Sequence, residues 1–144
     1  MRVEAQEISI GARSNIQDFV MVHVGDFGPM IVGEDCSIKH RATLHGCTIV
    51  YRCLIGIGAT VVGGVMIGVN SIIAGCAIAK SGKSFSPNAI IASVPARQVG
   101  ERINSGRTLF DADVYRTIAG NYAHGRDRFT DEQLAALQLA VRPG

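Results

Sequence analysis

Aliphatic residues recur every six positions along most of this chain, and that period constrains the fold more than any other feature. Ile10, Ile16 and Val22 open the series. Val32, Ile38 and Leu44 continue it, Ile49, Ile55, Val61, Ile67, Ile73 and Ala79 extend it, and the register runs on through Phe85 and Ile91. An amphipathic helix repeats at about 3.6 residues and a half-buried strand at about 2, so neither accounts for a step of six. A solenoid does: a triangular coil spends one hexapeptide on each face and three faces on each turn. Counted in threes, the anchors start turns at Ile10, Val32, Ile49 and Ile67. Both irregular steps, Val22 to Val32 and Leu44 to Ile49, fall at turn boundaries. Ser14, Cys36, Ala42, Cys47, Cys53, Ala59 and Ala77 stand two places before an anchor, so that position is often small. The expected fold is an all-β solenoid, a parallel β-helix of hexapeptide repeats, with a C-terminal α-helical segment.

Composition agrees. The chain has 144 residues, 17 of them Gly, no Trp and 6% aromatics, which suits one domain with many turns and a core of small branched side chains. The stretch 61–79 is apolar enough to mimic a membrane span, but its four glycines and the unbroken six-residue step assign it to the coil. A net charge of +2 argues against nucleic-acid binding. No basic stretch followed by an apolar run opens the chain, which points to the cytoplasm. Cys36, Cys47, Cys53 and Cys76 lack C-x-x-C spacing and sit in apolar runs, so they read as reduced core residues.

The repeat ends near residue 92. The expected division is a β-helix over 1–98, then an exit loop and C-terminal helices packing on it over 99–144. A helix is expected over 111–122, where Val114, Ile118 and Tyr122 share a face, and a second after the Thr130/Gln133 capping box.

Three histidines stand in the coil. His23 and His45 each follow a third-face anchor on successive turns, about 4.8 Å apart by the strand spacing of a sheet, close enough to share one ion. His40 lies two residues after Ile38 and points to another edge. One copy thus offers two ligands together and a third elsewhere, and a homotrimer could complete a three-histidine site at each interface. Three imidazoles with an open fourth position suit a catalytic zinc; iron and cobalt suit the same donors. Asn15, Gln17 and Asp18 read either as turn residues or as groups around such a site: an amide orienting a bound water and a carboxylate pairing across an interface. His124, Arg13, Arg41 and Arg52 read as solvated. Lys83 in SGKS lacks P-loop spacing, and no G-x-S-x-G elbow occurs.

The runs NIQDFVMVH, IVGEDCSIKHRATLHGCTI, LIGIGATV, GVMIGVNSIIAG and SVPARQV resemble the γ-class carbonic anhydrase family of left-handed β-helix proteins, over about 10–97. The resemblance implies that His23 and His45 bind the metal from one subunit and His40 from its neighbour. It also implies that Gln17 orients the bound water beside Asn15, and that Asp18 pairs with Arg2 across the interface. Glu4 and Asp26 match acidic positions suited to carrying a proton away, and Tyr122 matches a residue that closes over the pocket. Only Met1 precedes Arg2, where relatives have further turns, so the resemblance implies a coil lacking N-terminal rungs, with an open sheet edge.

The implied activity is reversible hydration of CO2 by a hydroxide on zinc or iron. Two alternatives stay open: a coenzyme A-dependent acyltransferase, since the same coil serves many, and a metal-binding homologue with weak turnover.

Overall fold

The computed structural model describes residues 6–25, 28–104 and 106–141. It is a left-handed parallel β-helix of about five turns. The first turn holds β1 (Ile8–Ile10), β2 (Asn15–Ile16) and β3 (Met21–His23), and the second β4 (Met30–Val32), β5 (Ser37–Ile38) and β6 (Thr43–His45). The third holds β7 (Thr48–Ile49), β8 (Leu54–Ile55) and β9 (Thr60–Val61), and the fourth β10 (Met66–Ile67), β11 (Ile72–Ile73) and β12 (Ile78–Ala79). Then come β13 (Ser84–Phe85), β14 (Ala89–Ala92), β15 (Arg97–Glu101), α1 (Gly106–Ala123) and α2 (Asp131–Val141).

Each face is one sheet, in the orders β1-β4-β7-β10-β13, β2-β5-β8-β11-β14-β15 and β3-β6-β9-β12. The hexapeptide anchors point inward. Ile38, Leu44, Ile49, Ile55, Val61, Ile67, Ile73, Ala79 and Ile91 are fully buried. Ile10 and Ile16, on the first described turn, are 41% and 37% exposed, because among the described residues no turn lies beyond them.

The small residues before the anchors now have a reason. At one corner Ser14, Cys36, Cys53 and Ser71 stack, and each side chain donates to a carbonyl of the following turn: to Gly33 O at 2.7 Å, Val50 O at 3.0 Å, Gly68 O at 3.2 Å and Ser86 O at 3.2 Å. A larger side chain would not fit between turns held at strand spacing. The corners also force left-handed backbone: Arg13, Arg41 and Arg52 have φ of 58°, 60° and 60°. Arg13 is not merely solvated. Its guanidinium meets Asp35 at 2.7 Å and Glu34 at 2.8 Å, holding the Asp35 carboxyl below the usual range.

All four cysteines are free, and three are buried; Cys76 is the exception, exposed at a corner with φ 58°. Its core assignment therefore fails, because the left-handed corner turns the side chain outward. Burial pushes the Cys47 thiol up to about 12, which removes its nucleophilic form at neutral pH. We expect a thiol reagent to modify Cys76 alone in the native protein and the other three only after denaturation. Rapid labelling of two or more native thiols would contradict these burials.

Two further expectations change. Part of the anticipated exit loop is β15, which runs antiparallel to β14 and closes the edge of that sheet, satisfying its open backbone groups. Helix α1 begins five residues before its expected start, because its first turns are held by polar contacts that apolar periodicity does not register. Arg102 Nη2 donates to Thr108 Oγ1 at 2.7 Å, and Lys39 Nζ pairs with Asp111 Oδ2 at 2.7 Å. The capping box forms as expected: Gln133 N donates to Thr130 Oγ1 and Thr130 N to Gln133 Oε1. His124 is exposed, its Nδ1 2.7 Å from Gly120 O.

Candidate metal centre

The coil register brings the histidines of the third face together. In the parallel pair β3–β6, His23 stands opposite His45, and the ring centroids lie 4.9 Å apart with planes tilted by 57°. The chemistry of this donor pair fits an ion. Two imidazole nitrogens bound tetrahedrally at about 2.0–2.1 Å from zinc stand only about 3.3 Å apart, a separation that rings at this spacing can present. His40 is not part of the pair. It sits at the corner after β5, 42% exposed, with Nδ1 3.5 Å from Asp18 Oδ2. Among the described residues no three metal-ligating side chains converge within one copy.

The corner of His40 is lined by polar side chains. Asn15 pairs with Ser37 and Ile16 with Ile38 across β2–β5, so Asn15, Gln17 and Asp18 lie one turn away from Ser37, Lys39 and His40. Asn15 and Gln17 are buried. Asn15 Oδ1 accepts from Gln17 Nε2 at 3.2 Å and from Ser37 Oγ at 3.1 Å, while its own Nδ2 donates to Cys36 O at 3.4 Å. This fixes the Gln17 amide with its nitrogen inward. Gln17 Oε1 has no donor among the described residues and remains able to accept one. Asp18 is exposed.

Helix α1 packs over β2 and β5 and adds residues that the sequence did not flag. Lys39 is tied to Asp111 and lies 6.0 Å from the Tyr115 ring centroid. Tyr115 lines a groove of about 360 Å³ with Asn15, Ile16, Ala112 and Ala119. Burial, and then the Asp111 and Asp18 carboxylates, push its hydroxyl above the usual tyrosine range. Asp111 and Tyr115 are four residues apart and so share one face of α1. Tyr122 instead lies 65% exposed in a groove with Ile118, Asp127 and Phe129. Arg2, Glu4 and Asp26 lie outside the described residues.

Coil and corners together define the class: a left-handed β-helix of hexapeptide repeats with an imidazole pair on one corner and a polar histidine corner on another. No family model matches the sequence. Gamma carbonic anhydrase 1, a mitochondrial protein of Arabidopsis thaliana, is 33% identical over 103 residues, 67% of this chain and 38% of that protein. Protein YrdA of Escherichia coli is 30% identical over 141 residues, 92% of this chain and 73% of its own. Among solved structures, a hexapeptide transferase family protein from Anaplasma phagocytophilum superimposes with a TM-score of 0.73 at 24% identity, covering 78% of this chain and 68% of that one. Serine acetyltransferase in complex with coenzyme A from Brucella abortus gives 0.53 at 29% identity, covering 66% and 40%. The chain belongs to the γ-class carbonic anhydrase family. It spans less than two fifths of the length of its Arabidopsis relative. Among the described residues no helix is long and apolar enough to cross a membrane.

Proposed function

We propose that this chain is a metal-dependent carbonic anhydrase-like protein of the cytoplasm, hydrating CO2 reversibly at the interfaces of a homotrimer. The observation that carries the reading is the His23–His45 pair with centroids at 4.9 Å. In this reading His23 and His45 of one copy and His40 of the next hold a divalent ion, zinc, iron or cobalt. When bound, the ion supplies the Lewis acidity that brings the pKa of water toward about 7.

The chain's own groups do the rest. Gln17, its nitrogen engaged by Asn15, offers Oε1 to a water hydrogen and so orients the attacking oxygen. Addition of that oxygen to CO2 would give bicarbonate and one proton, and Asp26 or Glu4 would carry the proton to buffer. Asp18 and Arg2 pair across the interface and hold two copies in register.

Likeness to a coenzyme A-bound serine acetyltransferase supports a second reading, acyl transfer from a thioester. Metal analysis beside an activity assay separates the two. We expect about one ion per chain in the wild-type protein after growth in metal-supplemented medium, essentially none in His45→Ala, and CO2 hydration that chelator abolishes. Coenzyme A binding with chelator-resistant acetyl transfer would favour the second reading. Bound metal with hydration at background would mark a homologue that keeps the ion without turnover. Equal metal content in wild type and His45→Ala would sink the site itself.

A further inference from the structure

We propose that Gly25 is the positioning residue for the His45 imidazole, its bare Cα forming the seat against which the ring rests. The inference builds on the metal-binding role given to His45. Gly25 lies two residues after His23, in the turn that returns the chain to β4, where Gly28 N donates to Gly25 O at 3.3 Å. A methyl group placed on Gly25 would stand 2.5 Å from His45 Cε1, 3.1 Å from Nε2 and 3.5 Å from Nδ1. Its three nearest atoms all belong to that ring.

Other tight glycines differ in kind. At Gly11, Gly33, Gly56 and Gly68 the added carbon would meet backbone of the next turn, so those positions are small because the coil is tightly stacked. At Gly25 the backbone φ lies outside the left-handed region, so the φ angle does not itself call for glycine. The requirement for glycine therefore comes from the imidazole and not from the turn. The seat also acts on the ring. With Gly25 against the Cε1 edge and the His23 ring 4.9 Å away, His45 is confined between two neighbours, and confinement of this kind holds a ligand in its productive orientation before the ion arrives. The turn after the first histidine thus sets the direction of the second.

The test uses the full-length chain stripped of metal, with cobalt(II) as the probe. Gly25→Ala, His45→Ala and the double variant are compared by melting of the metal-free protein and by cobalt titration followed in the visible spectrum. We expect Gly25→Ala to melt about 5 °C below wild type, as an overpacked contact does, and to bind cobalt about tenfold more weakly with an altered spectrum. In the His45→Ala background the same substitution should leave melting unchanged, because the ring it would strike is gone. A glycine needed only by the turn would lower melting equally in both backgrounds, and that result overturns the proposal. So does a Gly25→Ala protein with wild-type cobalt affinity and spectrum. If wild type binds no cobalt, the metal reading fails on its own, while the melting comparison still decides whether the seat exists.

Discussion

Mixing His40→Ala chains with His45→Ala chains should restore about a quarter of the wild-type metal sites, although neither variant alone retains any. In the proposed trimer each site takes His23 and His45 from one copy and His40 from the next. A His40→Ala chain keeps an intact imidazole pair, and a His45→Ala chain keeps an intact His40 corner. After dissociation in mild denaturant and reassembly at equal concentrations, an interface receives a competent pair with probability one half and a competent corner with probability one half. The two parts of the proposed site are separate in the fold: the pair sits at the ends of β3 and β6, whereas His40 stands beside Asp18 on another corner. Metal content and CO2 hydration should rise together from background to that fraction. A site contained within one copy could not be rescued this way, so continued absence of metal in the reassembled mixture would rule out the shared arrangement.

The largest loss of stability is expected from a single methyl group. Gly56 follows the Ile55 anchor and donates its N–H to Ile73 O at 2.8 Å. A Cβ there would lie 2.5 Å from Gly75 N and 2.7 Å from both Ala74 C and Ile73 O. All three are backbone atoms of the next turn, held in register by the β8–β11 pairing of Leu54 with Ile72 and Ile55 with Ile73. No flexible side chain can move aside, so the turns must part or the ladder must break. Gly56→Ala should cost about 3 kcal/mol, a large share of the stability of an ordinary domain. Gly120 provides the control. It lies within α1, nothing stands within 4 Å of its added carbon, and Gly120→Ala should gain about 0.5–1 kcal/mol by raising helix propensity. Denaturant unfolding of both variants checks the contrast, and a Gly56→Ala protein as stable as wild type would mean that the turns are not stacked this closely.

What the amino-acid sequence determined by itself was the coil. Each hexapeptide sends one apolar side chain inward and most place a small one two residues earlier, so Ile38, Leu44, Ile55 and their equivalents announce the repeat within six residues. The same local register was enough to place His23 above His45 and to turn His40 elsewhere. The capping box at Thr130 and Gln133 was legible for the same reason, being a contact between residues three apart.

Only the tertiary structure decided what packs against the coil. Lys39 meets Asp111 across 72 positions, Arg102 reaches the Arg52 carbonyl across 50, and β15 adds to β14 in a stretch with no alternating pattern. Tyr115 enters the Asn15 groove through the placement of α1, and Gly25 meets the His45 ring through a turn that closes only when two coils are stacked. These contacts join segments whose separation has no period, through polar groups or through an absent side chain. A repeat betrays itself because the same burial requirement recurs at fixed distance along the chain, whereas a contact made once between distant segments exists only where the folded backbone brings them together.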